Sequence, residues 1–418
     1  MKPPPLKDDC FAMPPGVDWT PVDDALAMLQ KGLHCVTKAE AIDLMDAGGR
    51  VLAADVVAVR SNPPYANSAV DGYGFAFDCL DSNDVVELAL VPGRSAAGGP
   101  FEGVVPAGKA LRILTGARVP TGVDTVVLEE DCSVLGDAIA FRKGLKQGAN
   151  TRNAGEDVLA SDVVLTAGHV LRSQDIALLA AVGVGGVSVR RRLRVAVLST
   201  GDEVVSVGQL ATQSQIYDAN RPMLLQTIRE WGYEPVDLGH VADDPELVKA
   251  ALERGAIQAD AILTSGGASA GDEDHVSAVL GSRGAVQTWR IAMKPGRPLA
   301  LALWDGVPVF GLPGNPVAAL VCTLVFARPA CAVLAGAAWQ NPAGFDVPAA
   351  FSKNKKAGRR EYLRARVRGG KAEVFKSEGS GRISGLSWAE GLVELSNEAQ
   401  EISDGDLVRF YPYGSFGI

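Results

Sequence analysis

The chain has 418 residues, enough for two to four domains at roughly 100–200 residues each. Its 21% charged and 47% hydrophobic residues exclude a disordered protein, and 40 basic against 49 acidic side chains leave a net charge of −9, which argues against general nucleic-acid binding. Six scattered Cys with no C-x-x-C spacing point to reduced thiols.

The first fifteen residues hold five Pro and read as a loose arm without the apolar run of a signal peptide. Thr20-Pro21-Val22-Asp23 predicts a helix start with Thr20 as cap. Thr37-Lys38-Ala39-Glu40 predicts a second helix, ended by Gly48-Gly49. Val51–Val59 reads as a strand. From about Arg60 to Asn150 the short runs Val85–Val91, Leu111–Leu114, Thr125–Leu128 and Ala138–Phe141 alternate with turn residues, a β-rich pattern. Ser173–Val182 is helical again, so a β module inserted into a helical domain accounts for both.

Residues 190–335 alternate strand and helix. Strands are expected at Val195–Ser199, Pro235–Leu238, Ala261–Thr264 and Val307–Phe310. Helices are expected at Asn220–Trp231 and after Asp244-Pro245, the latter closed by Gly255. This rhythm implies a doubly wound α/β domain with a parallel sheet, whose ligands bind at the carboxyl ends of the strands. Val317–Trp339 is the most apolar stretch, and Arg328–Pro329 within it favours a buried helix and a second short helix over a membrane span. Glu361–Val367, Ala372–Phe375, Leu392–Leu395 and Leu407–Tyr411 read as strands of a small C-terminal β module.

Candidate chemistry gathers at the strand ends. Ser265-Gly266-Gly267-Ala268-Ser269-Ala270-Gly271 lets backbone approach a ligand, and Asp272 and Asp274 follow it. Glu203, Asp243 and Asp274 can converge on one crevice, where clustered carboxylates need a cation, a proton or phosphate-bound Mg²⁺. Asp244 reads as the helix cap, which leaves Asp243 for chemistry. Lys294 and Arg297 are cations on a stiff turn suited to an oxyanion. The run Lys353–Lys356 with Arg359, Arg360, Arg364 and Arg366 suits either an anion or solvent. Asn315-Pro316 opens a helix whose amides suit phosphate or simple capping. The four His lack metal spacing, and neither a G-x-S-x-G elbow nor a Walker P-loop is present.

Taken in order, Asn67-Ser68-Ala69-Val70-Asp71-Gly72-Tyr73, Leu114-Thr115-Gly116-Ala117-Arg118-Val119-Pro120, Gly155-Glu156-Asp157, Ser199-Thr200-Gly201-Asp202-Glu203, the Ser265–Gly271 loop, Lys294-Pro295-Gly296-Arg297-Pro298, Leu312-Pro313-Gly314-Asn315-Pro316 and Gly358-Arg359 resemble the molybdopterin molybdenumtransferase family, to which the C-terminal domain of gephyrin is related. The resemblance runs from about residue 18 to the end. It implies a flexible arm (1–17), a discontinuous helical domain (18–59 and 151–188), an inserted β module (60–150), an α/β domain resembling molybdopterin adenylyltransferases (189–335) and a C-terminal β-barrel (336–418).

The implied reaction inserts molybdenum from molybdate into molybdopterin-AMP and releases AMP. Mg²⁺ would be held by Glu203, Asp243 and Asp274. Lys294, Arg297, Arg364 and Ser387 would bind molybdate, with Ser269 on the glycine loop as a further substrate contact. Asp71, as a catalytic group, and Thr115, Arg152 and Asp157 would come from the other subunit of a cytoplasmic homodimer. Transient contact with a molybdopterin adenylyltransferase and with downstream cofactor-handling proteins is also implied, but neither nucleic acid nor membrane. The alternatives are an adenylyltransferase acting on molybdopterin itself and a non-catalytic peptide-binding scaffold.

Overall fold

The computed structural model describes residues 19–80, 84–266, 275–282, 286–296, 298–379 and 381–418. The chain divides into two compact units. One comprises Ala41–Gly48 and Ala54–Val189; the other comprises Met1–Glu40, Gly49–Ala53 and Arg190–Ile418.

The first unit is built on a six-stranded sheet in the order Thr125–Leu128, Gly72–Phe75, Lys109–Ile113, Val85–Ser95, Ala138–Arg142, Cys132–Leu135. Neighbours are antiparallel except Lys109–Ile113 and Val85–Ser95, which run parallel. Alternating side chains such as Phe75, Val86, Leu88, Val127 and Phe141 form its core. Gly72 lies in the central pairing, where an added Cβ would sit 1.9 Å from the Val127 carbonyl oxygen, so only glycine fits. That close approach fixes Asp71 at the strand's leading end. The four strands expected in residues 85–141 are present, and the expected second-segment helix is Ser173–Ala181.

Three expectations fail locally. Of the strand expected over Val51–Val59, only Val56–Val57 forms one. The run after Thr37 is a strand, Ala39–Asp43, followed by a 3-10 turn at Leu44–Asp46. Thr37 cannot cap a helix there, because its buried hydroxyl donates to the Ala335 carbonyl at 3.1 Å. Helix Val22–Gly32 begins on Pro21 rather than on a Thr20 cap. Thr20 instead bridges Ile291 in parallel fashion, through its N–H to Arg290 and its carbonyl to Ala292.

In the second unit the α/β sheet has the order Glu234–Val241, Arg194–Thr200, Ala261–Ser265, Val307–Leu312, Pro298–Trp304, Val286–Arg290. The first four are parallel. Pro298–Trp304 runs antiparallel to both its neighbours, so the sheet is mixed rather than wholly parallel. Helices Pro245–Gln258 and His275–Ser282 pack together with Ala196, Leu198 and Ile262. Gly255 does not close the first of these helices. It lies inside it, where a Cβ would come within 2.8 Å of Ile262 and 2.9 Å of Leu238, so glycine lets the helix settle onto the sheet.

The apolar stretch forms one helical rod, Pro316–Leu334. It is long and apolar enough to cross a membrane, but 83% of its most apolar window is buried inside the protein. Pro329 does not split it. A π turn at Thr323–Ala327 widens the backbone just ahead of the proline and absorbs its missing N–H.

The C-terminal sheet has the order Met293–Lys294, Arg360–Arg368, Gly391–Leu395, Leu407–Pro412, Phe345–Pro348, with Lys371–Val374 also paired to Arg360–Arg368. Its core holds Val347, Ala365, Val393 and Phe410. The two-residue strand Met293–Lys294 belongs to the α/β segment of the chain yet pairs in parallel with Arg360–Glu361. This pairing places Lys294 against the C-terminal sheet.

Candidate active site

In the first unit, the Asp71 carboxylate accepts two hydrogen bonds from Thr115, one from the backbone N–H and one from the hydroxyl, both at 2.7 Å. These donors, the backbone N–H foremost, hold its carboxyl below the usual range, so Asp71 is a preformed anion. Two backbone links assemble the surrounding loops. Gly116 N–H donates to Ser68, and Thr151–Arg152 pairs antiparallel with Asn67–Ser68 so that Arg152 stands opposite Asn67. Asp71, Thr115 and Arg152 therefore share one exposed loop cluster. Asp157 stands on the adjoining loop, where its carboxylate accepts from Asn62 Nδ2 at 2.9 Å.

In the second unit, acids meet at the carboxyl edge of the parallel strands. Asp202 and Asp243 tie two neighbouring strand ends together reciprocally. Asp243 N–H donates to Asp202 Oδ1 at 3.0 Å, and Asp202 N–H donates to Asp243 Oδ2 at 3.3 Å. The Glu203 carboxylate folds over Gly201, within 2.7 Å of where a Cβ would stand. Burial, and then the charges of Asp202 and Glu203, push the Asp243 carboxyl up. Asp244 is the cap of helix Pro245–Gln258, accepting from the N–H groups of Glu246 and Leu247, which leaves Asp243 facing the edge. Among the described residues no three His, Cys, Asp or Glu side chains form a metal-binding group; Asp274 and Ser269 lie outside those residues.

Beside these acids, glycine loops crowd together. A Cβ on Gly266 would lie 2.6 Å from the Thr200 carbonyl oxygen, and one on Gly314 would lie 3.6 Å from Gly266 Cα. The buried Asn220 amide is the tie, donating to Ser265 Oγ and to the Gly314 carbonyl, each at 2.7 Å. Asn220 Oδ1, Asn315 Oδ1 and Thr200 Oγ1 are buried here without hydrogen-bond partners among the described residues, which marks a polar cradle. Asn315 caps no N–H with its side chain, so of its two sequence readings simple capping is the one lost.

The third cluster lines a cavity of about 170 Å³ bounded by Lys294, Lys353, Arg364, Lys376 and Glu378, with Phe351 and Phe375 among its apolar walls. Lys294 Nζ lies 2.6 Å from Glu378 Oε2 and 3.7 Å from Glu361 Oε1; Lys353 pairs with the same two carboxylates. Arg364 is 4% exposed and lies 5.0 Å from the Phe375 ring. Its guanidinium donates only to backbone carbonyls, those of Ser377, Gly379 and Arg382, and has no carboxylate partner among the described residues. Burial lowers its pKa. Gly385 backs onto this guanidinium, where a Cβ would lie 2.6 Å from Nη1. Ser387, two residues on, is exposed on the short helix Ser384–Trp388 and does not line the cavity. Arg297 lies outside the described residues.

Three family models cover most of the chain in sequence. The MoeA N-terminal region (domains I and II) matches residues 20–183, a probable molybdopterin binding domain matches 196–332, and the MoeA C-terminal region (domain IV) matches 346–413. The molybdopterin molybdenumtransferase of Haemophilus influenzae is 35% identical over 399 residues, which is 94% of this chain and 98% of that one. The chain belongs to the molybdopterin molybdenumtransferase family. A second relative, molybdopterin molybdenumtransferase 2 of Mycobacterium tuberculosis, is 33% identical over 88% of this chain and 94% of its own length. The crystal structure of the molybdopterin biosynthesis moeA protein from Pyrococcus horikoshii superposes with a TM-score of 0.82 at 28% identity, covering 95% of this chain and all of that one. As a family member, the chain is a transferase of molybdenum cofactor biosynthesis that inserts molybdenum into molybdopterin.

For this molybdenumtransferase, the sequence reading singled out Lys294 and Arg364, and the structure brings both to one cavity. It did not single out Asn220, Glu361 or Glu378. Lys353 was visible only as one charge in a basic run. Three of that run are committed elsewhere: Arg360 grips Asp23 bidentately, Arg366 pairs with Glu373, and buried Lys355 donates to the carbonyls of Lys356 and Glu398.

Proposed function

We propose that the molybdopterin substrate is the adenylylated form, that molybdate is the metal donor and that AMP is the leaving product. The observation that carries this reading is Arg364, a buried guanidinium without a carboxylate partner among the described residues, facing a cavity that also holds Lys294 and Lys353. A buried cation needs a compensating charge, and a tetrahedral dianion fits a small cavity lined by ammonium and guanidinium donors.

Mg²⁺ fits the acid edge, because half-buried Asp243 is crowded by the carboxylates of Asp202 and Glu203. Glu203 and Asp243, with Asp274, would hold the cation. Bound there, it would neutralise charge on the phosphates as the P–O–P bond breaks. The chain's own groups do the rest. Asn220 and the Gly266 and Gly314 loops shape the cradle for the nucleotide-linked pterin, and Lys294, Lys353 and Arg364 hold the oxyanion. Catalysis is then mostly positioning and charge complementarity.

The protein acts in this reading as a cytoplasmic homodimer. Asp71, Thr115, Arg152 and Asp157 of one subunit complete the site formed by Glu203, Asp243, Lys294 and Arg364 of the other. Contacts with an adenylyltransferase and with downstream cofactor-handling proteins would be transient, and nucleic acid and membrane have no role.

The test is AMP release at saturating molybdopterin-AMP with molybdate varied. Arg364→Ala should raise the molybdate requirement ten- to a hundredfold, in line with about 1.5–3 kcal/mol for a charge-assisted contact. An unchanged requirement sinks the assignment. Mixing inactive Asp71→Ala with inactive Asp243→Ala should recover activity in exchanged heterodimers, since one interface then holds two intact halves.

A further inference from the structure

Glu378 occupies the place that an incoming oxyanion needs. Its carboxylate bridges the two ammonium groups of the cavity, with Oε2 2.6 Å from Lys294 and Oε1 on Lys353. Glu361 also reaches both, at 3.7 and 3.2 Å, but the two acids differ in kind. Glu361 is 8% exposed and fixed on strand Arg360–Arg368, whereas Glu378 is exposed on the loop that follows Lys371–Val374. Arg364 donates to the carbonyls of Ser377 and Gly379 on either side of Glu378, so the same guanidinium lays that loop along the cavity.

The charges can be counted. Among the described residues, Lys294, Lys353 and Arg364 bring three positive charges to the cavity, and buried Glu361 sets one negative charge against them. Two remain among these residues, apart from exposed Lys376 at the rim. Glu378 cancels one more and leaves the set short by one charge. A tetrahedral dianion in its place cancels both. A monoanion merely replaces Glu378 like for like and gains nothing over a carboxylate already tethered there.

We propose that Glu378 is an internal competitor for the oxyanion site, displaced by the incoming dianion, and that this competition sets both the affinity for molybdate and the preference for dianions over monoanions. The proposal rests on the reading of this cavity as the molybdate site. Displacement breaks two carboxylate–ammonium contacts and forms two oxyanion–ammonium contacts with the same lysines. Glu378 moves into water, and the bound anion gains the second unit of charge.

The experiment is calorimetric titration of the full-length protein with sodium molybdate and, separately, with sodium nitrate. It uses wild type, Glu378→Gln, Glu378→Asp and Arg364→Ala, each first checked for an unchanged thermal unfolding profile. Glu378→Gln should bind molybdate about tenfold more tightly than wild type and should acquire nitrate binding that wild type lacks. Glu378→Asp keeps the charge but is one methylene too short to span both lysines, so it should fall between the two. Molybdate affinity unchanged or weakened in both Glu378 variants, with binding still weakened ten- to a hundredfold in Arg364→Ala, would overturn the competitor role and leave the site standing. Molybdate binding untouched by Arg364→Ala, or absent from every protein, would overturn the site itself and the competitor with it.

Discussion

At the carboxyl edge of the α/β sheet, Asp202, Glu203 and Asp243 stand together without an ion-pair partner among the described residues, whereas in the cavity at Lys294 the cations already hold carboxylates. One region has a surplus of negative charge, and burial together with that surplus pushes the Asp243 carboxyl up. The other has a surplus of positive charge and meets it with Glu361, Glu378 and a set of backbone carbonyls. On the reading proposed above, a cation would complete the acid edge, and an oxyanion would replace a carboxylate in the cavity. Arg360 and Arg364 repeat the contrast within one strand. Arg360 is matched bidentately by Asp23 and its pKa is raised, while Arg364 has carbonyls alone and its pKa is lowered by burial.

The comparison is broken most directly at Asp243. Asp243→Asn should cut the rate of AMP release by about 10²- to 10³-fold, as expected for several kcal/mol of lost cation-assisted stabilisation, while molybdate binding at the cavity stays as in wild type. A full rate at ordinary Mg²⁺ would remove Asp243 from the site. Next in size is the cation itself. Mg²⁺ at a hundredfold excess over its Kd should raise Tm by about 5 °C, corresponding to about 2.7 kcal/mol of linkage, and chelation should reverse the shift. The shift should vanish in Asp243→Asn and persist in Arg364→Ala, which differential scanning fluorimetry can read.

Asn220→Ala should cost about 1–3 kcal/mol in urea unfolding, because Ser265 Oγ and the Gly314 carbonyl lose a buried donor. A change within error would mean that the two glycine loops hold themselves together. The smallest effect is expected at Asp23→Asn. Asp23 is 71% exposed, so loss of its bond to Arg360 should cost about 0.2–1 kcal/mol by the same measurement. A cost as large as that at Asn220 would show that Arg360 depends on its counter-ion as Arg364 does on its carbonyls.

Short-range signals made most of the elements legible. Strand Thr125–Leu128 and the helix after Asp244 were readable because turn residues and a capping side chain act within a few positions. Thr37 was not, because its hydroxyl is spent on Ala335, almost 300 residues away, and no local pattern records that. Gly255 misled for a related reason: its small size serves contact with Leu238 and Ile262 instead of ending a helix. Strands Val286–Arg290 and Pro298–Trp304 were obscured by the Lys294–Pro298 turn between them, which reads as loop from either side. In the site, Lys294 carried its own signal in the Lys294–Pro298 motif, and Arg364 was picked out of its basic run only by the family resemblance. Glu378 and Glu361 carried none, since an acid becomes a counter-ion only when folding brings a lysine to it.

The rod Pro316–Leu334 has a consequence for how the protein is made. Its 19 residues are as greasy as an anchor sequence, yet in the finished protein they are nearly all covered. Strands Arg194–Thr200, Glu234–Val241, Ala261–Ser265 and Val307–Leu312 all precede it in the chain. The strands of its domain are therefore synthesised before the rod, so the apolar partners that cover it, Val307–Leu312 among them, are already in the chain when it emerges.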